Sequence, residues 1–203
     1  MGSAGKLAEN MESAGIDPEA ITKVVYTHAH PDHVWGTVND FDELSFPNAA
    51  YYISEAEWNF WMSGDVLTKL PKERHGFAVG AQRNLKAAKE KLTTIKPGRE
   101  LIAGVNIIDT SGHTPGHISL EIGAGKDLAI ILGDALTHPV ISFEHPDWKP
   151  AVDQDADKAV KRRKSLLSKL ASEGHRVIGY HLPKPGVGRV AKSGSVFTYE
   201  PLK

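Results

Sequence analysis

The chain has no cysteine. Disulfides and thiolate ligands are thereby excluded, and any metal it binds must be held by His, Asp or Glu. It has no apolar run of roughly 18 residues, so no segment predicts a membrane span. Neither charge is in excess. The 24 Lys and Arg stand against 25 Asp and Glu, a formal net charge of -1, without the basic signal that nucleic-acid binding leaves in a sequence. Met1-Gly2-Ser3-Ala4-Gly5-Lys6 lacks the apolar core of a signal peptide. There are no internal repeats and no low-complexity linkers. What is present is 203 residues of ordinary hydrophobic content, 40%, enough for one domain with a real core, and ten histidines, several of them clustered.

The densest cluster is Thr27-His28-Ala29-His30-Pro31-Asp32-His33. Three imidazoles and a carboxylate at one turn would repel protons and desolvate one another unless a cation sat between them. A coincidental surface cluster is the bland alternative, and it has little physical reason to exist. The segment before it, Ile21–Tyr26, is β-branched and apolar towards its end and predicts a buried strand. The cluster therefore falls on the loop leaving a strand tip, where scaffolded sites lie. His33-Val34-Trp35-Gly36 can open a short helix.

Elsewhere the pattern is that of a single α/β domain over residues 1–203. Leu7 to Ala14 reads as an amphipathic helix stopped by Gly15, with Asp17-Pro18 as a fresh helix start. Ala49–Ile53 reads as a strand, then Ser54 and Glu57 form a capping box. A Lys-rich helix is expected over Val79–Leu92. Strands are expected over 105–109, 118–122 and 128–132, a charged helix over 155–172, and a closing strand over 176–180. The basic run Lys161-Arg162-Arg163-Lys164 reads as the solvated face of that helix rather than a nucleic-acid patch. Ionisable groups follow three more strand ends: His113 and His117 in Ser111–His117, Asp134 after Leu132-Gly133, and His181 after Tyr180. Each alone is weak, but the same placement recurs three times.

With these residues in view, the chain resembles the metallo-β-lactamase-fold hydrolases. The ordered set His28-x-His30-x-Asp32-His33, His113, Asp134, His181 is similar to the superfamily's binuclear metal motif. Phe46-Pro47-Asn48-Ala49, Phe60-Trp61, Ser111–His117, Leu132-Gly133-Asp134 and His181–Gly188 are closer to its methyl parathion hydrolase-like branch. The resemblance implies an αββα sandwich with two divalent metal ions, zinc first and manganese, iron or cobalt as alternatives. His28, His30 and His113 would hold one ion, Asp32, His33 and His181 the other, and Asp134 would bridge them. Asp32 or Asp134 could move the proton of a hydroxide shared by the two ions. Gly2–Leu7 already resembles the stretch after an Asp-x-Gly segment of the family. The expected fold thus lacks some N-terminal strands, and its open sheet edge invites a homodimer. Location follows the same point: cytoplasmic if the chain is complete as given, secreted or periplasmic if a leader has been lost.

His117 has no counterpart among the family's ligands and is expected to be hydrogen-bonded beside the site. Thr27 and Thr114 could support it or be ordinary loop hydroxyls. His138 and His145 could line the pocket, with a plain surface position the default; His75 and His175 carry no motif. Trp61 matches an aromatic wall of the leaving-group pocket in the resembling hydrolases, and Phe77 adds a second face, for an apolar substrate. Trp58 and Trp61 also stand one helical turn apart, which is the spacing of core packing, and Trp35 fits either role. The leading reading is a binuclear metal-dependent hydrolase of esters, lactones or phosphotriesters, with a small-molecule substrate and no nucleic-acid or membrane partner. A β-lactamase-type amide hydrolase ranks lower, because the commonest zinc β-lactamases carry Cys at the position matching Asp134. A di-iron oxidoreductase on the same fold and a non-catalytic binding protein complete the set, and a nuclease is disfavoured by the neutral charge.

Overall fold

Gly15 ends the first helix: α1 spans Leu7–Ser13, and Gly15 takes a left-handed φ of 67° that suits a residue without Cβ. The computed structural model describes residues 5–202, so Gly2–Ala4 of the family-like N-terminal stretch lie outside the described residues. Contacts divide the chain into two compact units, Met1–Ile95 and Lys96–Lys203, each with its own sheet and apolar core.

In the first unit Asp17 starts only a 3₁₀ turn, Pro18–Ala20, by accepting the Glu19 N–H at 2.9 Å. Then come β1 (Lys23–Val25), α2 (Pro31–Val34), β2 (Ala50–Ser54), α3 (Glu55–Trp61), α4 (Val66–Lys69), α5 (His75–Ala87) and β3 (Leu92–Ile95). The helix after His33 thus begins earlier than expected, at Pro31, inside the ligand cluster itself. Proline is at home there, since its missing N–H has no partner in a first turn. The Lys-rich helix also differs from expectation. It runs from His75 and stops at Ala87, and Leu92 opens a strand instead of closing a helix. The reason is tertiary: Leu92–Ile95 pairs parallel with Tyr51–Ser54, and its Thr-Thr-Ile run is β-branched. The sheet order is β1-β2-β3, all parallel. Tyr51, Ile53, Trp61, Ala81 and Leu85 are wholly buried in this unit's core. Among the described residues β1 pairs on one side only, and a groove of about 220 Å³ lined by Leu7, Val24, Tyr26, Thr37 and Phe46 lies there.

The second unit carries β4 (Glu100–Ile102), β5 (Val105–Asp109), β6 (Ile118–Ile122), β7 (Ala129–Ile131), α6 (Ile141–Glu144), α7 (Ala156–Glu173), β8 (Arg176–Ile178), β9 (Val187–Ser193) and β10 (Val196–Pro201). β8 is not the last strand, as the sequence had indicated: the β9–β10 hairpin, turned by Gly194 at φ 61°, extends the sheet beyond it. The order is β10-β9-β8-β7-β6-β5-β4, antiparallel except where β7 and β8 run parallel. Asp155 caps α7 by accepting the Lys158 N–H, and Gly174 closes it in the left-handed region. Leu166, Leu167 and Leu170 on its inner face are buried against Ile130, Leu132 and Val177. Such side chains each contribute about 1.5–3 kcal/mol. No helix among the described residues is long and apolar enough to cross a membrane.

Candidate metal centre

Strand register explains why the second unit's donors converge. β5 and β7 end, and β6 begins, at the same end of the sheet, and β8 runs parallel to β7 with Ile131 opposite Ile178. The hairpin loop carrying His113 and His117, the segment reaching Asp134 and the one reaching His181 therefore emerge side by side. Asp134 Oδ2 lies 3.4 Å from His113 Nε2 and 3.3 Å from His181 Nε2. A buried carboxylate oxygen held between the nitrogens of the buried His113 and the exposed His181 is a donor set suited to divalent metal.

His113 is aimed by its neighbours. Its Nδ1 sits 3.0 Å from Asp153 Oδ1, so Nδ1 carries the proton and Nε2 is the donor atom. Its backbone carbonyl accepts the Gln154 N–H, and the Gly112 carbonyl accepts that of Asp155, docking the loop on the residues that lead into α7. Burial would raise the Asp153 pKa, but hydrogen bonds from His113 and Arg163, with their charges, outweigh it and hold the carboxyl below the ordinary range. Gly112 permits this approach. Its φ is 134°, and a Cβ there would stand 2.3 Å from the Ala159 backbone nitrogen. Gly112→Ala is expected to lose roughly 3 kcal/mol through strain and overlap. That is a fall of about 6–12 °C in melting temperature by calorimetry; an unchanged melt would contradict the close docking.

His117 is wholly buried, and both ring nitrogens are engaged. The Asp134 N–H donates to Nε2 at 2.9 Å, which places the ring proton on Nδ1, directed at Thr110 Oγ1 at 2.8 Å. Ser119 Oγ donates to the Leu132 carbonyl at 2.8 Å, so Thr110 donates to Ser119 at 3.0 Å. The chain runs in one direction from Asp134 to Leu132, and in it His117 anchors Asp134 through its backbone while neither nitrogen is turned to a metal.

In the first unit the parallel pairing of β1 and β2 brings the start of α3 beside the ligand loop. The His28 and His30 rings are buried, 4.7 Å apart, and the His33 ring lies tilted 4.2 Å from His28. Asp32 Oδ2 lies 3.6 Å from His33 Nε2, at the more exposed rim. Thr27 Oγ1 is 3.1 Å from His28 Nδ1, so this wholly buried ring is held through Nδ1. The link that orders this loop is Glu57. Its Oε1 accepts the Ala29 N–H at 3.0 Å and Trp61 Nε1 at 2.6 Å, with the residue wholly buried. Ser54 Oγ accepts the Glu57 N–H, the expected half of the capping box.

Trp61 is thus a core residue with no exposed surface, set edge-on behind His30 at 5.8 Å; as a pocket wall it can act only through that ring. Phe77 meets His30 at 5.6 Å and is partly exposed. Trp35 lies over Gly80 on α5 and is half exposed. Thr114 is buried and holds the hairpin loop through its carbonyl. His138 caps α6, accepting the Val140 and Ile141 N–H groups, and His145 stacks on the exposed Trp148. His75 contacts the Leu70 carbonyl, and His175 lies 3.2 Å from Glu173. The solvated reading of the basic run fails at Arg163, which is buried; Lys161 and Lys164 are exposed, and the partly exposed Arg162 pairs with Asp109. Sequence reasoning missed Asp153 and Arg163 as parts of the site. Only the amphipathic phase of α7, which turns Arg163 to the same side as Leu166, Leu167 and Leu170, could have signalled the second.

Residues 1–181 match the metallo-beta-lactamase superfamily, and the chain belongs to it. Among solved structures it is similar to AbOPH, a hydrolase of the beta lactamase superfamily. The two are 32% identical, with 98% of this chain and 70% of that one covered at a TM-score of 0.90. It is equally similar to AidC, a dizinc quorum-quenching lactonase solved with a product: 32% identity, the same coverage of 98% and 70%, and a TM-score of 0.90. Metallo-beta-lactamase domain-containing protein 1 of Xenopus laevis is 25% identical over 166 residues, 81% of this chain and 57% of that protein. The chain spans little more than half the length of this curated relative.

Proposed function

We propose that the two sets of donors form one binuclear metal site and that the protein is a metal-dependent hydrolase whose preferred substrate is a lactone, with simple esters next. The observation that carries this is the Asp134 carboxylate oxygen lying between the His113 and His181 nitrogens. Family membership and the dizinc lactonase relative support the rest. His28, His30 and His113 would hold one ion and Asp32, His33 and His181 the other, with Asp134 shared. Bound divalent ions supply Lewis acidity and lower the pKa of water. The chain's own groups do the remainder. Asp153 and Thr27 hold Nδ1 of His113 and of His28, Asp134 or the rim carboxylate Asp32 takes up a proton, and Phe77 with Trp61 behind His30 gives an apolar backing for an acyl chain. Phosphotriesters, implied by the resemblance of Phe46-Pro47-Asn48-Ala49, Phe60-Trp61 and Ser111–His117 to the methyl parathion hydrolase-like branch, form the second reading.

The test is elemental analysis of dialysed protein together with turnover of N-acyl homoserine lactones, aryl esters and phosphotriesters. Two equivalents of zinc, manganese or cobalt are expected, with lactone opening that a chelator abolishes and added metal restores. Iron with oxygen uptake would replace this reading by the oxidoreductase one. Turnover confined to phosphotriesters or β-lactams would overturn the substrate while sparing the site.

A further inference from the structure

Arg163 is an arginine on the inner face of α7, 5% exposed, whose donors are spent on four acceptors drawn from one stretch of chain. Nε donates to the Ala135 carbonyl at 3.2 Å, and Nη1 to the Pro146 and Trp148 carbonyls at 3.2 and 3.1 Å. Nη2 donates to Asp153 Oδ2 at 2.7 Å. Ala135 follows Asp134, and the other oxygen of Asp153 holds His113 Nδ1. One planar guanidinium thus grips both ends of the segment between the carboxylate donor and the group that aims the imidazole donor. We propose that Arg163 is a positioning residue that sets the direction of His113 and Asp134 together, coupling two metal donors that arise from different strands.

A buried ion pair is by itself weak evidence for stability, because desolvation can exceed the attraction. The fork geometry is what distinguishes this one. Five donors in a rigid plane can satisfy three carbonyls and a carboxylate at once, whereas a lysine ammonium offers three donors from one point. Replacing Arg163 by lysine keeps the charge opposite Asp153 and gives up the grip on residues 135, 146 and 148. The inference rests on the binuclear reading above, and its test separates the two.

The experiment measures zinc affinity of the full chain by competition with a chromophoric chelator, and the visible spectrum of the cobalt-loaded protein. It uses wild type, Arg163→Lys, and the double variant Arg163→Met with Asp153→Asn. The double variant leaves no buried charge alone and keeps a carbonyl acceptor for His113. Measurements are made below each variant's melting transition. Both variants are expected to release zinc at 10–100-fold lower chelator concentration, the usual effect of removing a group that orients a ligand, and to show altered cobalt bands. A purely structural role would lower the melt yet leave affinity and spectrum as in wild type, and that result overturns the proposal. Wild type that binds no zinc overturns the binuclear reading and this inference with it; wild type with two equivalents and variants that match it overturn the inference alone.

Discussion

Asp134→Ala is expected to bring hydrolysis down to background and to leave fewer than two metal equivalents on the protein. The carboxylate oxygen stands 3.3–3.4 Å from two imidazole nitrogens, so its removal takes away the group that two bound ions would share. The loss should exceed the roughly 10²–10³-fold cost of deleting one electrostatic donor, because metal binding and rate fall together. The variant is also a clean one for folding. The bond to His117 is made by the Asp134 backbone N–H, which alanine keeps, and the side chain fills no part of the apolar core. Turnover at saturating metal, measured beside elemental analysis, checks it. Wild-type kcat with full metal content would remove the shared role from Asp134.

The second large effect is on stability. Glu57→Ala strips the acceptor from the Ala29 and Trp61 N–H groups, both in a wholly buried place. Leaving a buried donor without its acceptor costs about 1–3 kcal/mol each. A loss of about 4 kcal/mol is expected, a fall of roughly 8–16 °C in melting temperature, and Glu57→Gln, which keeps one acceptor oxygen, should recover part of it. A denaturant melt of both variants decides the matter; equal stability of Glu57→Ala and wild type would show the two N–H groups find other acceptors. Trp61 inherits this constraint. Cutting it back disturbs Glu57 and so the loop from His28 to His30, whereas Phe77, partly exposed on His30, can be varied without touching that bond.

The candidate ligands could be read from the sequence because each lies in a local motif at a strand end, and strand ends are marked by apolar runs giving way to Gly and polar residues. Their supports could not. Asp153 is 40 residues from His113, and Glu57 is 28 from Ala29. Nothing in Asp153-Gln154-Asp155 or in a capping box announces a distant partner. β3 was hidden for a related reason: a Lys-rich helical pattern leads straight into Leu92-Thr93-Thr94-Ile95, and only pairing with β2 makes those four residues a strand. The basic run misled because charge pattern says where a solvated face is common, not which guanidinium finds four buried acceptors.

The one-way chain from Asp134 through His117, Thr110 and Ser119 to Leu132 has a spectroscopic consequence. Its protons run in one direction, and His117 and Ser119 have no exposed surface. The imidazole N–H of His117 can trade with water only when this end of the sheet opens. In proton NMR it should stand as one persistent downfield line, and its exchange lifetime times the opening of the strand ends beside Asp134, in the metal-loaded and the metal-free protein alike.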